Sequence, residues 1–202
     1  MPGTKSRLVA ALAVGVVLLT GCADGTHPGS AAAVGDVKIS TSQLDDVVKS
    51  VSAAQGEAIA PSAALQLMIS SELAGQVADQ RSVSVSDAEV ASAMNQVVQD
   101  PQLLAKFQSD PVADEFLRDF ARGQIGLIKL GGASGISDPG AQQAAQKGSQ
   151  LVAEEGAKIG VDVNPRYGTW SGDRIEAVSG SLSTPFAPQT AATPQQGEQP
   201  PR

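Results

Sequence analysis

The single cysteine, Cys22, is the residue of this 202-residue chain that is best placed for covalent chemistry. It directly follows the small residue Gly21 at the end of an uncharged apolar run over residues 8–20, and Lys5 and Arg7 precede that run. A positively charged start, an apolar centre and a small residue at the cleavage point are typical of a secretory signal peptide. The run is shorter than the roughly 20 apolar residues of a transmembrane helix. We therefore expect residues 1–21 to be removed.

The tetrapeptide Leu19-Thr20-Gly21-Cys22 resembles a bacterial lipobox. The resemblance implies transfer of a diacylglyceryl group to the Cys22 thiol, cleavage between Gly21 and Cys22, and acylation of the new amine with a chain such as palmitate. Each buried CH₂ of such a chain contributes about 0.8 kcal/mol, so two or three chains hold a protein firmly on a membrane. We expect a lipoprotein anchored to the cell membrane and facing its extracytoplasmic side. One cysteine cannot form a disulfide within the chain.

Few other residues are suited to catalysis. The only histidine, His27, lies in the segment just after Cys22. A Ser-His-Asp triad, acid–base catalysis by histidine and a histidine-containing zinc site each need a histidine within the folded site. Asp45-Asp46 and Glu154-Glu155 are adjacent pairs, and adjacent residues of a helix do not face each other. The sequence therefore predicts a protein that is not an enzyme and that has no cofactor and no metal site.

The charge of the chain limits its partners. Residues 1–21 contain two bases and no acid, so the remaining chain has 12 basic and 21 acidic residues and a formal charge of −9. Phosphate binding needs clustered Lys and Arg, so this balance argues against a nucleic-acid partner. Only 3% of the residues are aromatic, which predicts a thin core of Ala, Val and Leu.

The composition divides the mature chain into three parts. Residues 22–33 are mostly Gly, Ser, Ala and Thr, which predicts a flexible tether. Residues 34–179 have the length and the apolar periodicity of one folded domain. Residues 180–202 contain five prolines and four glutamines with little apolar surface, so we expect a disordered tail.

Capping signals predict most of the helix starts. Ser40 with Gln43 and Ser86 with Glu89 have the spacing of a capping box. Three Asp-Pro pairs combine an N-cap aspartate with a proline at the first helical position, where the missing N–H has no partner to lose. These pairs are Asp100-Pro101, Asp110-Pro111 and Asp138-Pro139. Together with Gly56 and Pro61 as breakers, the signals predict a mainly α bundle of about five to six helices.

Two helices have apolar faces. We interpret the first of them as core, and the alternative is that it binds an apolar client. The stripe after Asp110 is the longest, and it consists of Val112, Phe116, Phe120, Gly123, Leu127 and Leu130. The last helix has a weaker face of Ala145, Gly148, Val152 and Ile159.

Short strands are predicted at both ends of the bundle. Val37-Lys38-Ile39 and Val161-Asp162-Val163 alternate apolar and polar residues, as half-buried strands do. An isolated strand leaves its backbone groups unpaired. We therefore predict that these two segments pair with each other in an antiparallel, two-stranded sheet that joins the two ends of the bundle, with Tyr167 and Trp170 near the seam.

Three stretches together resemble the N-terminal domain of SurA-type chaperones and the related parvulin foldases. They are residues 34–40, the helix over residues 65–77 with the following residues 83–90, and residues 161–170, which resemble the closing segment of actinobacterial lipoprotein foldases. The resemblance implies a chaperone-like bundle. In the foldases a parvulin prolyl-isomerase domain precedes the closing helix and strand, but here only residues 131–137 occupy that place and the catalytic histidines are missing. It thus implies a bundle without isomerase activity.

Three functions follow from these observations. The first is a chaperone-like protein that binds unfolded or extended polypeptides of exported proteins in an apolar groove, with no peptide-binding residue assigned. The second is a structural or scaffolding lipoprotein that docks a specific protein partner, and the third is an enzyme. A solvent-open groove lined by Met68 or Phe116 would favour the first, a flat apolar patch the second, and clustered buried carboxylates the third.

Overall fold

The computed structural model describes residues 28–177 of the chain. The predictions for the signal peptide, Cys22, His27 and the segment over residues 180–202 lie outside the described residues. The described part is mainly helical, with six helices and two small antiparallel sheets, which confirms the predicted fold class. The helices are α1 (Thr41–Gln55), α2 (Pro61–Gln80), α3 (Asp87–Val97), α4 (Pro101–Ser109), α5 (Pro111–Leu130) and α6 (Ala141–Ile159). The strands are β1 (Ser30–Val34), β2 (Val37–Ser40), β3 (Val161–Val163), β4 (Thr169–Trp170) and β5 (Ile175–Glu176).

Four predicted helix starts are confirmed by their hydrogen bonds. The Gln43 N–H donates to Ser40 Oγ at 3.0 Å at the start of α1. Ser86 and Glu89 form both bonds of a capping box at the start of α3. Asp100 accepts from the backbone of α4, and Asp110 accepts from two N–H groups of α5, with proline at the first helical position of each. Each cap satisfies N–H groups that have no partner inside the helix.

The third predicted Asp-Pro start is wrong. Helix α6 begins at Ala141, and Gly140 occupies the N-cap position. The Asp138 carboxylate instead accepts from the Gly140 N–H at 2.8 Å and from the Ser134 N–H at 3.3 Å. A carboxylate that bonds the backbone two residues ahead forms a turn of its own, and this turn replaces the cap. Asp138 therefore shapes the loop between α5 and α6.

The sheet that joins the ends of the chain has three strands in the order β2-β1-β3, all antiparallel. The predicted joining of the two ends is confirmed. The predicted direct pairing of Val37–Ile39 with Val161–Val163 is wrong, because β1 lies between them and pairs with both. Gly35, with φ at 56°, occupies the first position of the two-residue turn between β1 and β2, where a positive φ matches the twist of a hairpin.

The N-terminal boundary of the domain differs from the prediction for the same reason. Residues 30–33, which were assigned to the flexible tether, belong to β1, and Ala31 and Ala32 are fully buried. Asn164 holds this strand from the far end of the chain, because its side-chain amide donates to the Ser30 carbonyl and its backbone N–H donates to the Ala31 carbonyl. Tyr167 and Trp170 are half-buried against the core in the segment that follows Asn164.

Helix α5 is the centre of the bundle and contacts each of the other five helices. Its fully buried positions differ from the predicted stripe, since Val112, Phe116, Phe120, Leu127 and Leu130 are only half-buried and Gly123 alone is buried as predicted. Small side chains occupy most of the buried face, so neighbouring helices can approach closely. The buried residues are Ala113, Leu117, Ala121, Gly123, Ile125, Gly126 and Ile128.

Helix α6 packs on α5 and α2 through buried residues at intervals of four, and Gly156 among them faces Leu73 of α2. The predicted face is correct at Gly148 and Val152, but Ala144 and Gly156 replace Ala145 and Ile159. At Gly148 a Cβ atom would collide with the backbone of Leu127 in α5. Helices α5 and α6 can therefore approach this closely only because residue 148 is a glycine, which has no side chain.

Candidate functional site

A groove with a volume of about 550 Å³ lies between α1, α2 and α5, with β2 along one side. Its apolar lining comes from four elements and consists of Val37, Ile39, Val47, Met68, Val112 and Phe116. Val37 is 41% exposed, and Met68, Val112 and Phe116 are half-buried. We call this feature the groove. In the part of the chain that the structure describes, the groove is open to solvent, so part of the apolar surface of these residues is not used as core.

The spacing of residues in α2 and α5 explains why a groove forms here. The two helices approach closely where Gly123 faces Ser71, because a Cβ on Gly123 would lie 3.1 Å from Ser71 Cα. Met68 lies one helical turn before Ser71, and Phe116 lies about two turns before Gly123. Because Met68 and Phe116 lie away from the point where Gly123 meets Ser71, the two helices are further apart there and both side chains line the groove.

Strand β2 is at the edge of its sheet, and among residues 28–177 no further strand pairs with it on the side of the groove. Gly35 N donates to the Gly160 carbonyl and Asn164 N donates to the Ala31 carbonyl, so the odd-numbered residues of β1 face β3. In the register, Ala33 is opposite Lys38, which makes this a pair without mutual hydrogen bonds. The N–H and C=O of Lys38 therefore point away from β1, toward the open edge of the sheet. An exposed edge of this kind can pair with another extended chain.

Carboxylates dominate the charged residues of the groove. Asp46, Glu72, Glu115 and Asp119 line it, against the two bases Lys38 and Arg122. Arg122 is 3.4 Å from Asp119 and also 3.4 Å from Asp87 outside the groove. Within residues 28–177, no Lys or Arg nitrogen lies within 4 Å of the carboxylates of Asp46, Glu72 or Glu115. The groove therefore combines an apolar floor with an excess of negative charge.

The groove raises the pKa of Asp119 above its ordinary value. The main cause is desolvation of the carboxyl by the surrounding walls, although 59% of the side-chain surface is still exposed. Arg122 opposes this change, whereas the negative charges of Glu115 and Glu72 add to it. The pKa of Asp119 thus depends on two other carboxylates, Glu115 on the same helix and Glu72 on α2.

A second cavity, of about 450 Å³, lies between α3, α5 and the loop that connects α5 to α6. Glu89 lines it and forms an ion pair with Lys129, with 2.6 Å between Oε1 and Nζ. Lys129 also donates to the Ser84 carbonyl at 2.8 Å. These bonds connect the start of α3 to the end of α5. We therefore assign a structural role to the ion pair of Glu89 and Lys129.

Replacing Glu89 with glutamine is expected to reduce the acid sensitivity of the domain. Hydrogen bonds from Lys129 and from the Ser86 backbone lower the pKa of Glu89 from 4.5 to about 2. A carboxylate with a lowered folded-state pKa contributes stability that is complete above pH 4.5 and is lost as the pH falls toward about 2. Urea denaturation at about pH 7 and about pH 3 measures this contribution.

The free-energy difference between wild type and Glu89→Gln should be larger at neutral pH than at acid pH. Glu57→Gln is the matched control, because Glu57 is exposed and forms no ion pair within the described residues. An equal effect of Glu89→Gln at both pH values would show that the ion pair and the cap do not depend on the charge of Glu89.

Some of the residues that the sequence analysis named line the groove, and others lie elsewhere. Met68 and Phe116, which were named as possible groove residues, do line the same groove. Asp46 also lies there, whereas Glu155 pairs with Arg81 and Lys158 on the surface. The sequence analysis did not identify Val37, Glu72, Glu115 or Asp119 as groove residues. Glu115 and Asp119 are four residues apart, and Asp119 is three residues after Phe116. This spacing is a signal that Asp119 shares one side of the helix with both of them.

Within residues 28–177, no three His, Cys, Asp or Glu side chains are placed together so that they could hold a metal ion. In the same range, no helix is both long and apolar enough to cross a membrane. No protein-family model, curated protein or solved structure matches the chain.

Proposed function

We propose that this protein is a lipid-anchored, extracytoplasmic chaperone-like protein that binds unfolded or extended segments of exported polypeptides in the groove. The binding is non-covalent and needs no cofactor. In this proposal Cys22 carries the anchor, and the domain over residues 30–177 carries the binding surface.

The open groove is the observation that carries the proposal. A small domain could use all its large apolar side chains as core, and then none would be left for a client. Here Met68, Val112 and Phe116 are half-buried and line a space of about 550 Å³ that is open to solvent. Fully burying an exposed side chain of this size contributes about 1.5–3 kcal/mol, so covering one that is half-buried contributes about half as much. Two or three such side chains are enough for weak binding of an apolar segment.

The shape of the groove favours an extended segment over a compact ligand. Its side wall is the free edge of β2, where the N–H and C=O of Lys38 point outward. An added strand can pair with such an edge through its main chain, while its side chains enter the groove. Main-chain pairing does not depend on the client's sequence, which suits a protein with many clients.

Two features of the sequence support the same function. The lipobox resemblance would place the domain outside the cytoplasm, where exported polypeptides emerge unfolded. The resemblance to the N-terminal domain of SurA-type chaperones implies a bundle that holds such polypeptides. Neither feature requires the isomerase domain, for which the loop between α5 and α6 leaves no room.

The lipid-free chain over residues 23–202 is expected to suppress the aggregation of a chemically denatured reporter protein. The double variant Met68→Gln/Phe116→Gln should be about tenfold less effective, because the loss of two apolar contacts weakens binding by more than about 1.4 kcal/mol. Light scattering of the reporter, with the protein in excess, measures the effect.

A matched control variant removes two exposed apolar side chains that do not line the groove. Leu67 precedes Met68 on α2 and is 38% exposed, and Val97 at the end of α3 is 41% exposed. Leu67→Gln/Val97→Gln should suppress aggregation as well as the wild type does. If the wild type gives no suppression at a tenfold excess, the chaperone proposal is wrong and a scaffolding role for a fixed partner is favoured.

A further inference from the structure

We propose that the groove prefers extended segments that combine apolar residues with lysine or arginine, so that cationic apolar stretches are the parts of a client that it selects. This inference rests on the proposed function and adds the charge of the bound segment to it.

The first reason is that the negative charge of the groove is not neutralised. Four carboxylates and two bases line it, which leaves a formal charge of −2. Arg122 divides its interactions between Asp119 and Asp87, at 3.4 Å each. Within the described part of the chain, Asp46, Glu72 and Glu115 have no Lys or Arg nitrogen within 4 Å. Among residues 28–177, Glu72 accepts only from the neutral side-chain amide of Gln76, at 2.8 Å. A cation from outside can therefore pair with these carboxylates.

The second reason is that three of the carboxylates affect one another. Glu72 on α2 and Glu115 on α5 both raise the pKa of Asp119 by repulsion, in addition to the effect of burial. Repulsion of this kind is relieved when a positive group enters the space between the carboxylates. In residues 28–177 these carboxylates do not form a group that could hold a metal ion. A long cationic side chain can reach carboxylates that are too far apart to bind one ion together.

The third reason is the position of the carboxylates beside the apolar lining. Met68 and Glu72 are four residues apart on α2, and Phe116 directly follows Glu115 on α5. Lysine and arginine have an apolar stem and a charged end. Such a side chain can lay its stem on Met68 and Phe116 and reach Glu72 or Glu115 with its charge. Neither an acidic segment nor a purely apolar one satisfies both parts of the groove.

Three fluorescent peptides of equal length test the inference. They share the same apolar residues, and their remaining positions are all Lys, all Gln or all Glu. With the chain over residues 23–202 at low salt, the Lys peptide should bind about tenfold more tightly than the Gln peptide, and the Glu peptide should bind more weakly than both. The preference should nearly disappear at about 0.5 M salt, where exposed charges are screened. Fluorescence anisotropy gives the dissociation constants.

A triple variant, Glu72→Gln/Glu115→Gln/Asp119→Asn, should bind the Lys and Gln peptides with nearly equal affinity. Its control, Asp45→Asn/Glu57→Gln/Glu154→Gln, removes the same number of charges at exposed positions outside the groove. The control should keep the tenfold preference. If it loses the preference to the same extent, net charge and not the groove causes it, and the inference is overturned.

Other outcomes separate this inference from the proposed function. Equal binding of all three peptides overturns the charge preference but leaves the chaperone proposal intact, whereas no binding of any peptide overturns both. If deletion of residues 178–202 tightens the binding of every peptide by the same factor, the chain's own tail occupies the groove. If sedimentation shows a dimer that Phe116→Gln dissociates, a second copy occupies it. Either of these two results also overturns the inference.

Discussion

Replacing Gly148 with alanine is expected to destabilise the domain by about 3 kcal/mol, a large part of the stability of a domain of this size. A Cβ at this position would collide with three backbone atoms of Leu127 in α5, namely its carbonyl oxygen, carbonyl carbon and Cα. Backbone atoms cannot rotate away as a side chain can, so α5 and α6 must separate. Urea denaturation followed by circular dichroism measures the loss.

The sign of this effect is opposite to that of helix propensity. Alanine in a helix interior is about 1 kcal/mol more favourable than glycine. Gly75 in α2 is the matched control, because a Cβ there would have no atom within 4 Å. Gly75→Ala should therefore stabilise the domain by about 0.5–1 kcal/mol. A stabilising Gly148→Ala would mean that α6 does not lie against α5 as closely as the structure shows.

Local signals explain why the helix starts could be predicted. An N-cap such as Ser86 or Asp110 acts on N–H groups two or three residues away, so its effect depends little on the rest of the fold. Asp138 was predicted wrongly because the same carboxylate can also form a turn within a loop. The glycine-rich sequence before it, from Gly131 to Gly135, gave the chain this freedom.

The central strand β1 could not be predicted from its residues. Ser30–Ala33 consists of small side chains, which have the composition of a linker and carry no alternation of apolar and polar groups. This segment becomes a strand because β2 and β3 satisfy its backbone on both sides. Ala31 and Ala32 are also fully buried, and α1 and α2 both contact the strand. These are contacts between distant parts of the chain, and β-structure depends on them more than on intrinsic preference.

The core face of α5 was predicted only in part, because most residues of the stripe pack against the core without being fully buried. Their place in the apolar stripe suggested that Phe116 and Phe120 are core residues, but a helix that contacts five others must place small residues where its neighbours come closest. Ala113 and Ala121 are fully buried for this reason, and the larger Phe116 lies at the edge of the core, where there is room for it. The groove follows from this arrangement. A periodic pattern shows that a helix has an apolar face, but not which side of that face a partner helix covers.

The position of β1 also shortens the connection between the proposed anchor at Cys22 and the domain. Gly29 is already fixed to the domain, since its carbonyl accepts from the Thr41 N–H at 2.8 Å. Seven peptide units separate Cys22 from Gly29, and at full extension they span at most about 25 Å. In the proposed arrangement, the N-terminal edge of the domain therefore stays within about 25 Å of the acylated residue. The groove would then be held close to the membrane surface, where exported segments emerge.

If Cys22 carries the proposed lipid, replacing it with serine is expected to abolish acylation completely, because a hydroxyl does not replace the thiol that would receive the diacylglyceryl group. Cleavage before residue 22 should also fail, so the variant should keep residues 1–21. The apolar run over residues 8–20 could still hold this uncleaved chain on the membrane. Membrane fractionation alone is therefore not a sufficient measurement. Mass spectrometry of the N-terminus and metabolic labelling with a palmitate analogue give the direct result.

Thr26→Ala is the matched control, because it changes the same segment without affecting the thiol or the residues before it. This variant should begin at Cys22 and should carry the same lipid as the wild type. An unmodified Cys22 in the wild type, or a mature chain that starts at another residue, would contradict the anchor. The binding function would then have to be tested as that of a free extracytoplasmic protein. A chain that has the lipid but gives no suppression of aggregation would keep the anchor and remove the chaperone function, so the two parts of the proposal can fail separately.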